Sequence, residues 1–310
     1  MRFLFLLSIL FATPLAAFTP GDVYFEHRSS LPSSNGAYFE AWQYEPQWRY
    51  ALAADAWPLI DKVVPLFGAG HFFVPASNLV VFHSDRTVSF WDGVPHIFTE
   101  PGLGYTEIFR DDADLGEIAP MRPGLYLVPE LGAKNAKLIA FTLQGRIAEY
   151  PFPNGIGAEH IELLADQCTL LYGLGNRVAR MNLCTGQALA DFATLAAGQM
   201  AGAIRKTPNG DVLVADGSQV LRFNAGGALL MTYPFAGVTH VALTPDGTSF
   251  WAAGVNAGVA ELRSYGAGND IPIGNPEMTS ATTPLEANDL VVVGEWRAAA
   301  QAKIRLRAKR

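Results

Sequence analysis

The sequence predicts an all-β chain folded as a β-propeller of four-stranded blades, and three observations carry that reading. The stretch 204–224, IRKTPNGDVLVADGSQVLRFN, has a partial copy at 241–254, VALTPDGTSFWAAG, in which Thr207, Pro208, Asn209 and Gly210 match Thr244, Pro245, Asp246 and Gly247 position by position. In both, an alternating apolar strand enters a Pro-Asn/Asp-Gly turn whose glycine supplies φ > 0, and a second apolar strand returns. The unit recurs along most of the chain at the spacing of a propeller blade. Finally, 30 glycines and 20 prolines in a 310-residue chain that is 50% hydrophobic suit a turn-rich β fold with a large core.

The first residues read as a targeting segment. Arg2 is the charged start, 3–11 (FLFLLSILF) is a short apolar core, and 14–17 (PLAA) offers small residues for cleavage near Ala17. A spanning helix needs about 20 apolar residues, and no stretch of this chain provides them. The expected organisation is a signal peptide at 1–17 and a single propeller domain at 18–310, secreted or periplasmic, with no membrane span; an uncleaved anchor is the alternative. A formal charge of −7, with only 16% of residues charged, argues against nucleic acid as a partner.

Seven residues occupy the turn-glycine position: Gly21, Asn78, Gly124, Gln167, Gly210, Gly247 and Asn288, spaced by 57, 46, 43, 43, 37 and 41 residues. Third strands follow at 87–91, 137–141, 177–181, 219–223 and 259–263, and fourth strands at 145–150 and 227–233. Seven anchors favour seven blades; six is the alternative, because the first spacing is irregular. No inner strand precedes Gly21, and 290–296 with 303–309 supply only two strands of a last blade. Pairing strands from both termini would complete the ring and remove its open edges.

Two cysteines in an exported chain predict one disulfide. A hairpin loop centred on Asn176 pairs residues whose numbers sum to 352, as those of Cys168 and Cys184 do, so the two are expected directly opposite each other. Two free thiols would require a reducing compartment.

The blade pattern resembles the NHL-repeat and virginiamycin B lyase-like propellers. There a strand, an Asp-Gly turn, an apolar strand ending in Val-Ala-Asp, and a strand of Arg-apolar-apolar-Arg-Phe type recur. The stretch 211–223 (DVLVADGSQVLRF) is the closest match, and 145–154 (GRIAEYPFPN) is similar to the outer strand and exit loop of the lyase-like group. The resemblance implies a propeller over nearly the whole mature chain, an architecture that hosts enzymes, binding proteins and scaffolds alike.

One column of the repeat carries chemistry. Seven residues before each anchor after the first stand His71, Glu117, His160, Ala203, His240 and Ala281, so three of the six histidines share one position. The next residues, Phe72, Ile118, Ile161, Ile204 and Val241, are apolar, and period two then turns the column toward the central channel. Imidazoles with a carboxylate suit Zn or Fe. Related propellers hold a catalytic metal on inner-strand histidines; there the histidine stands one residue earlier relative to the turn, a shift that either reverses its facing or reflects a shorter turn here. The other reading makes these histidines channel-wall residues. Glu162 and Arg205, two positions further on in adjacent blades, are expected as a channel-lining ion pair or polar-ligand contacts.

Elsewhere, 110–117 (RDDADLGE) has alternating acids but lacks a calcium loop's full ligand spacing. The aromatic segment from Tyr38 to Trp57 would fill interblade core or stack on a ligand. The basic ending KIRLRAKR from Lys303 alternates as an outer strand with one wet face. Nucleophile-elbow, phosphate-loop, CxxC and HExxH motifs are absent from the sequence. The expected function is a monomeric binding module for a small-molecule or protein ligand at the channel mouth. The alternative is a metal-dependent lyase or hydrolase, with His71, His160 and His240 as ligands and Glu117 as ligand or general base.

Overall fold

The structure is a computed structural model that describes residue 21, the segments 23–29, 38–44, 48–52, 72–73, 80–84 and 87–91, and residues 106–299 apart from 123, 133, 267, 269–271, 274–276, 279–283 and 293. Among the described residues the strands form six four-stranded antiparallel sheets. The first joins β1 (Val23–Ser29), β2 (Tyr38–Tyr44) and β3 (Trp48–Leu52) to the last strand, β24 (Pro284–Val292). The second holds β4 (Phe72–Phe73), β5 (Val80–Ser84), β6 (Thr87–Trp91) and β7 (Thr106–Arg110); the third holds β8 (Ala119–Arg122), β9 (Leu125–Pro129), β10 (Lys137–Thr142) and β11 (Gly145–Pro151). The fourth comprises β12 (Ile161–Leu163), β13 (Thr169–Leu174), β14 (Arg177–Asn182) and β15 (Gln187–Thr194), and the fifth β16 (Ile204–Lys206), β17 (Val212–Ala215), β18 (Gln219–Phe223) and β19 (Leu229–Pro234). β20 (Val238–Leu243), β21 (Ser249–Asn256), β22 (Val259–Gly266) and β23 (Glu277–Met278) complete the sixth.

Innermost strands neighbour one another in the order β8, β12, β16, β20, β24, β4, and β7 lies beside β11, so the sheets follow each other around an axis. Each sheet packs against two neighbours, which is why its middle strands are apolar on both faces. In β9, Leu125 and Leu127 enter the core shared with the fourth sheet, whereas Tyr126 and Val128 enter the core shared with the second. Further interblade cores gather Leu171, Val178, Ile204 and Val214; Tyr233, Val241, Phe250 and Tyr265; and Val23, Leu262, Leu290 and Val292.

Closure by the two ends of the domain is realised in β24, which pairs antiparallel with β1 from Val23↔Val292 to Ser29↔Pro284. Anchors Gly21 and Asn288 therefore belong to one sheet, and seven anchors map onto six described sheets. Gly21, Gly124, Gln167, Gly210 and Gly247 all have φ between 60° and 100°, as a turn anchor requires. Asn288 differs: it lies inside β24, between the residues paired to Glu26 and His27, at a β-bulge. A polar residue interrupting an apolar strand looks the same in sequence whether it marks a bulge or a turn. The turn glycine of this sheet is Gly294, at φ 70°. The expected strand 290–296 accordingly ends at Val292, and 303–309 lies outside the described residues, as do the expected signal peptide, His71, Asn78 and Ala281.

Cys168 and Cys184 form the predicted disulfide, with Cα atoms 5.3 Å apart. The register is one residue from the expected one. Leu174 pairs with Arg177 across a two-residue turn, Gly175-Asn176, rather than a loop centred on Asn176. Cys168 thus stands opposite Leu183, whose amide donates to its carbonyl at 2.7 Å, and Cys184 reaches it from the following turn. Closing a loop of this length restricts the unfolded chain by about 3 kcal/mol. The Cys168→Ser/Cys184→Ser protein is expected to unfold at lower denaturant concentration with an unchanged slope; superimposable curves would contradict this.

Candidate functional site

Of the described column residues, Glu117, His160 and Ala203 stand just before innermost strands and His240 is the third residue of β20. Glu117, His160, Ala203 and His240 are all buried, and their successors Ile118, Ile161, Ile204 and Val241 enter four different interblade cores. Period two thus turns the column toward the axis, as the sequence implies. Two positions further along, Glu162 and Arg205 are buried in the same channel.

Two other charged residues join them. The described residues after Gly294 do not form a strand, and β1 occupies the place beside β24. Residues 295–299 instead form a strap across the end of the channel where the innermost strands finish. The Leu243 amide donates to Glu295 Oε1 at 2.7 Å, the Trp296 amide to the Thr244 carbonyl at 3.4 Å, and Gln167 Nε2 to the Ala299 carbonyl at 3.0 Å. Trp296 lies against the Gly247 turn, where an added Cβ would stand 3.4 Å from its ring.

From the strap, Arg297 reaches into the channel and uses all three guanidinium nitrogens. Nε donates to Glu295 Oε2 at 2.8 Å, one terminal nitrogen to Glu162 Oε2 at 3.0 Å, and the other to Glu117 Oε1 at 3.1 Å. Arg205 grips both Glu117 oxygens in a fork and donates from Nε to Glu295 Oε1 at 2.9 Å. Glu117, Arg205, Glu295 and Arg297 thereby close a four-membered ring of alternating charge. His160 Nδ1 donates to Glu117 Oε2 at 3.1 Å, and its ring stands edge-on to that of His240, 5.2 Å between centroids. Thr239 Oγ1 is 2.8 Å from His240 Nδ1. The expected Glu162–Arg205 pair is redistributed: Glu162 bonds Arg297 and the Lys206 amide, while Arg205 takes Glu117 and Glu295.

Electrostatics sort the carboxyls. Burial alone would lift the Glu117 carboxyl, but the Arg205 guanidinium, the His160 hydrogen bond and Arg297 outweigh it and hold it well below the usual range. At Glu162 burial prevails: Arg297 and Arg205 offset it in part, Glu295 adds to it, and the carboxyl is raised. Burial disfavours charge on Arg205 and Arg297 too, yet the surrounding carboxylates keep both guanidiniums protonated.

Chemically, this centre binds one segment of its own chain through the Arg297 guanidinium. Glu117 carries two guanidiniums, so a metal ion on its oxygens would meet two positive charges. Among the described residues no group of three or more His, Cys, Asp or Glu side chains is disposed to hold a metal. The 110–117 acids do not converge either: Asp111 caps the amides of Asp112 and Ala113 and pairs with Arg146 at 2.6 Å, whereas Glu117 points into the channel. Glu295 and Arg297 were absent from the sequence-level candidates, since the repeat column looks only upstream of each anchor. Their signal was an isolated acid and base two residues apart, between Val291-Val-Val and Ala298-Ala-Ala.

No protein-family model matches the chain, and no curated protein matches it in sequence. Solved structures do. A protein of unknown function from Bacteroides caccae superposes with TM-score 0.60 at 11% identity, over 88% of this chain and 98% of that one. TolB from Acinetobacter baumannii gives 0.60 at 9% over 87% of this chain and 66% of that one, and a chain of a nidogen/laminin complex gives 0.57 at 11% over 89% and 99%. At such identities the likeness is one of fold. Together with the arrangement of sheets it makes this chain a β-propeller.

The two carboxyls set opposite pH dependences. Glu117, depressed in the fold, contributes stability that is present above its unfolded value of 4.5 and lost as pH falls through its lower folded value. Glu162, raised in the fold, contributes stability present below 4.5 and lost as pH rises through its folded value. Denaturant titrations from about pH 3 to about pH 7 are therefore expected to show the cost of Glu117→Gln growing with pH and that of Glu162→Gln shrinking. Parallel profiles would contradict the assignment.

Proposed function

We propose that the chain is an exported six-bladed propeller that serves as a binding module for a small-molecule or protein ligand, monomeric and presenting its channel and loops. The observation that carries this reading is the full engagement of Glu117 in the polar centre. Glu117, the one acid of the repeat column, is held ionised by Arg205 and Arg297 and by a hydrogen bond from His160, so it is engaged in holding the strap. A general base needs a free lone pair aimed at substrate. Export is supported by the charged, apolar and small-residue order of the first 17 residues and by the disulfide, which persists in oxidising compartments.

A second reading rests on the proximity of His160 and His240. Rings 5.2 Å apart are compatible with two nitrogens on one Zn or Fe ion, with His71 as a third ligand, in a lyase or hydrolase. Metal analysis of the untagged protein beside a His160→Ala/His240→Ala variant separates the two. The binding reading predicts little metal in either, even after incubation with divalent ions. Near-stoichiometric Zn or Fe in the unmodified protein, lost in a variant that remains folded, would overturn it in favour of the metal enzyme.

A further inference from the structure

The strap treats the channel as a receptor. Its tip, the Arg297 guanidinium, is bound by Glu162, which lies in β12, and by Glu117, which stands two residues before β8 with its amide on the Glu159 carbonyl, so neither acid is placed by the strap. Both acids are backed by the apolar cores on either side of their strands, so the cradle is part of the propeller frame. The strap has no strand pairing among its described residues. Besides its side-chain ion pairs, it is held by the Leu243 amide on Glu295, the Glu295 amide on the Val292 carbonyl at 2.9 Å, one long backbone hydrogen bond at 3.4 Å and one from Gln167, and it buries Ala298 and Ala299 and packs Trp296 against the core between the fifth and sixth sheets. Gly294, at φ 70°, joins it to β24 at a position where the chain can swing without disturbing the sheet.

Charge defines what fits. With the strap in place the centre holds three carboxylates and two guanidiniums. That is already an excess of one negative charge, and lifting the strap, which removes Glu295 and Arg297 together, leaves the same excess on Glu117 and Glu162 against Arg205 alone, so only a cation that brings no acid of its own neutralises the site. A planar cation donating to two separate carboxylates answers that excess. An ammonium, a point charge with no fixed fork, matches it less well.

We infer that the Glu117–Glu162 cradle is a binding site for a guanidinium-bearing ligand, such as an arginine side chain of a peptide, and that Arg297 fills it as an internal substitute which such a ligand displaces. This rests on the binding-module reading and names its ligand class. Displacement frees the strap, including Trp296, at the channel end where the innermost strands finish, so occupancy of the cradle is coupled to the exposure of that face.

The test uses the full chain carrying Arg297→Ala, with Arg297→Gln as a second variant that keeps more of the side-chain volume. N-acetyl-arginine amide, at concentrations far below those at which guanidinium denatures, is expected to raise the melting temperature of either variant saturably. It should bind at least about tenfold more tightly than N-acetyl-lysine amide, since only arginine has the fork. Adding Glu162→Gln should abolish the gain. In the unmodified protein a tetra-arginine peptide is expected to increase hydrogen exchange across residues 294–299. Equal effects of the arginine and lysine derivatives, or an unchanged response when Glu162→Gln is added, would overturn the guanidinium site. Metal analysis on the same preparations keeps the two failures apart: stoichiometric metal overturns the binding reading, whereas loss of arginine preference in metal-free protein overturns only this site.

Discussion

Everything at the centre of this propeller depends on one constraint: the buried carboxylates of Glu117 and Glu162 must be paired with cations and hydrogen-bond donors. Glu117 and Glu162 are carried inward by strands whose other faces are fixed in interblade cores, so neither can rotate toward solvent. Arg205 from the fifth sheet and Arg297 from the strap answer this charge, and Glu295, which the strap also brings, is shared between the two guanidiniums. Removing one partner of such a buried pair strands an uncompensated charge and costs about 3–5 kcal/mol. Well-packed apolar residues would serve stability as well or better. What the ionic solution adds is a single position for the strap, because Arg297 meets three carboxylates at once.

That constraint connects to ring closure. β24 completes the first sheet by pairing with β1, and the described residues beyond Gly294, 295–299, form the strap. Turning this segment under the channel does two things together, since the strap brings a guanidinium to Glu117 and Glu162 and covers the channel end. The disulfide hairpin borders the same end: Gln167, next to Cys168, holds the Ala299 carbonyl. Closure strand, strap and disulfide thus meet around a single ring of charges.

The architecture was legible because blade repeats write themselves into sequence as turn residues at φ > 0 followed by apolar strands. Gly210 and Gly247 announced it, and even Gln167, at φ 60°, took the turn position that the alignment gave it. The inward facing of Glu117, His160 and His240 was legible from period two alone. Asn288 misled, since a bulge residue and a turn residue share polarity and differ only in hydrogen bonding. The cysteine pairing was readable, but the register depended on whether the hairpin turn held two residues or three, and Gly175-Asn176 is compatible with either. The partners of Glu117 could not be read off at all. Arg205 lies 88 residues away and Arg297 lies 180 away, and only closure of the ring brings them together.

The central claim is that the strap is locked by direct coupling of its guanidinium to carboxylates of the frame. The most direct measurement is a double-mutant cycle on Arg297→Ala and Glu162→Ala, whose side chains meet at 3.0 Å in the buried channel, followed by equilibrium denaturation near neutral pH. A coupling energy of about 1–3 kcal/mol is the result this account predicts for contacting residues in one buried network. Additivity to within about 0.5 kcal/mol, the behaviour of distant and independent sites, would contradict it.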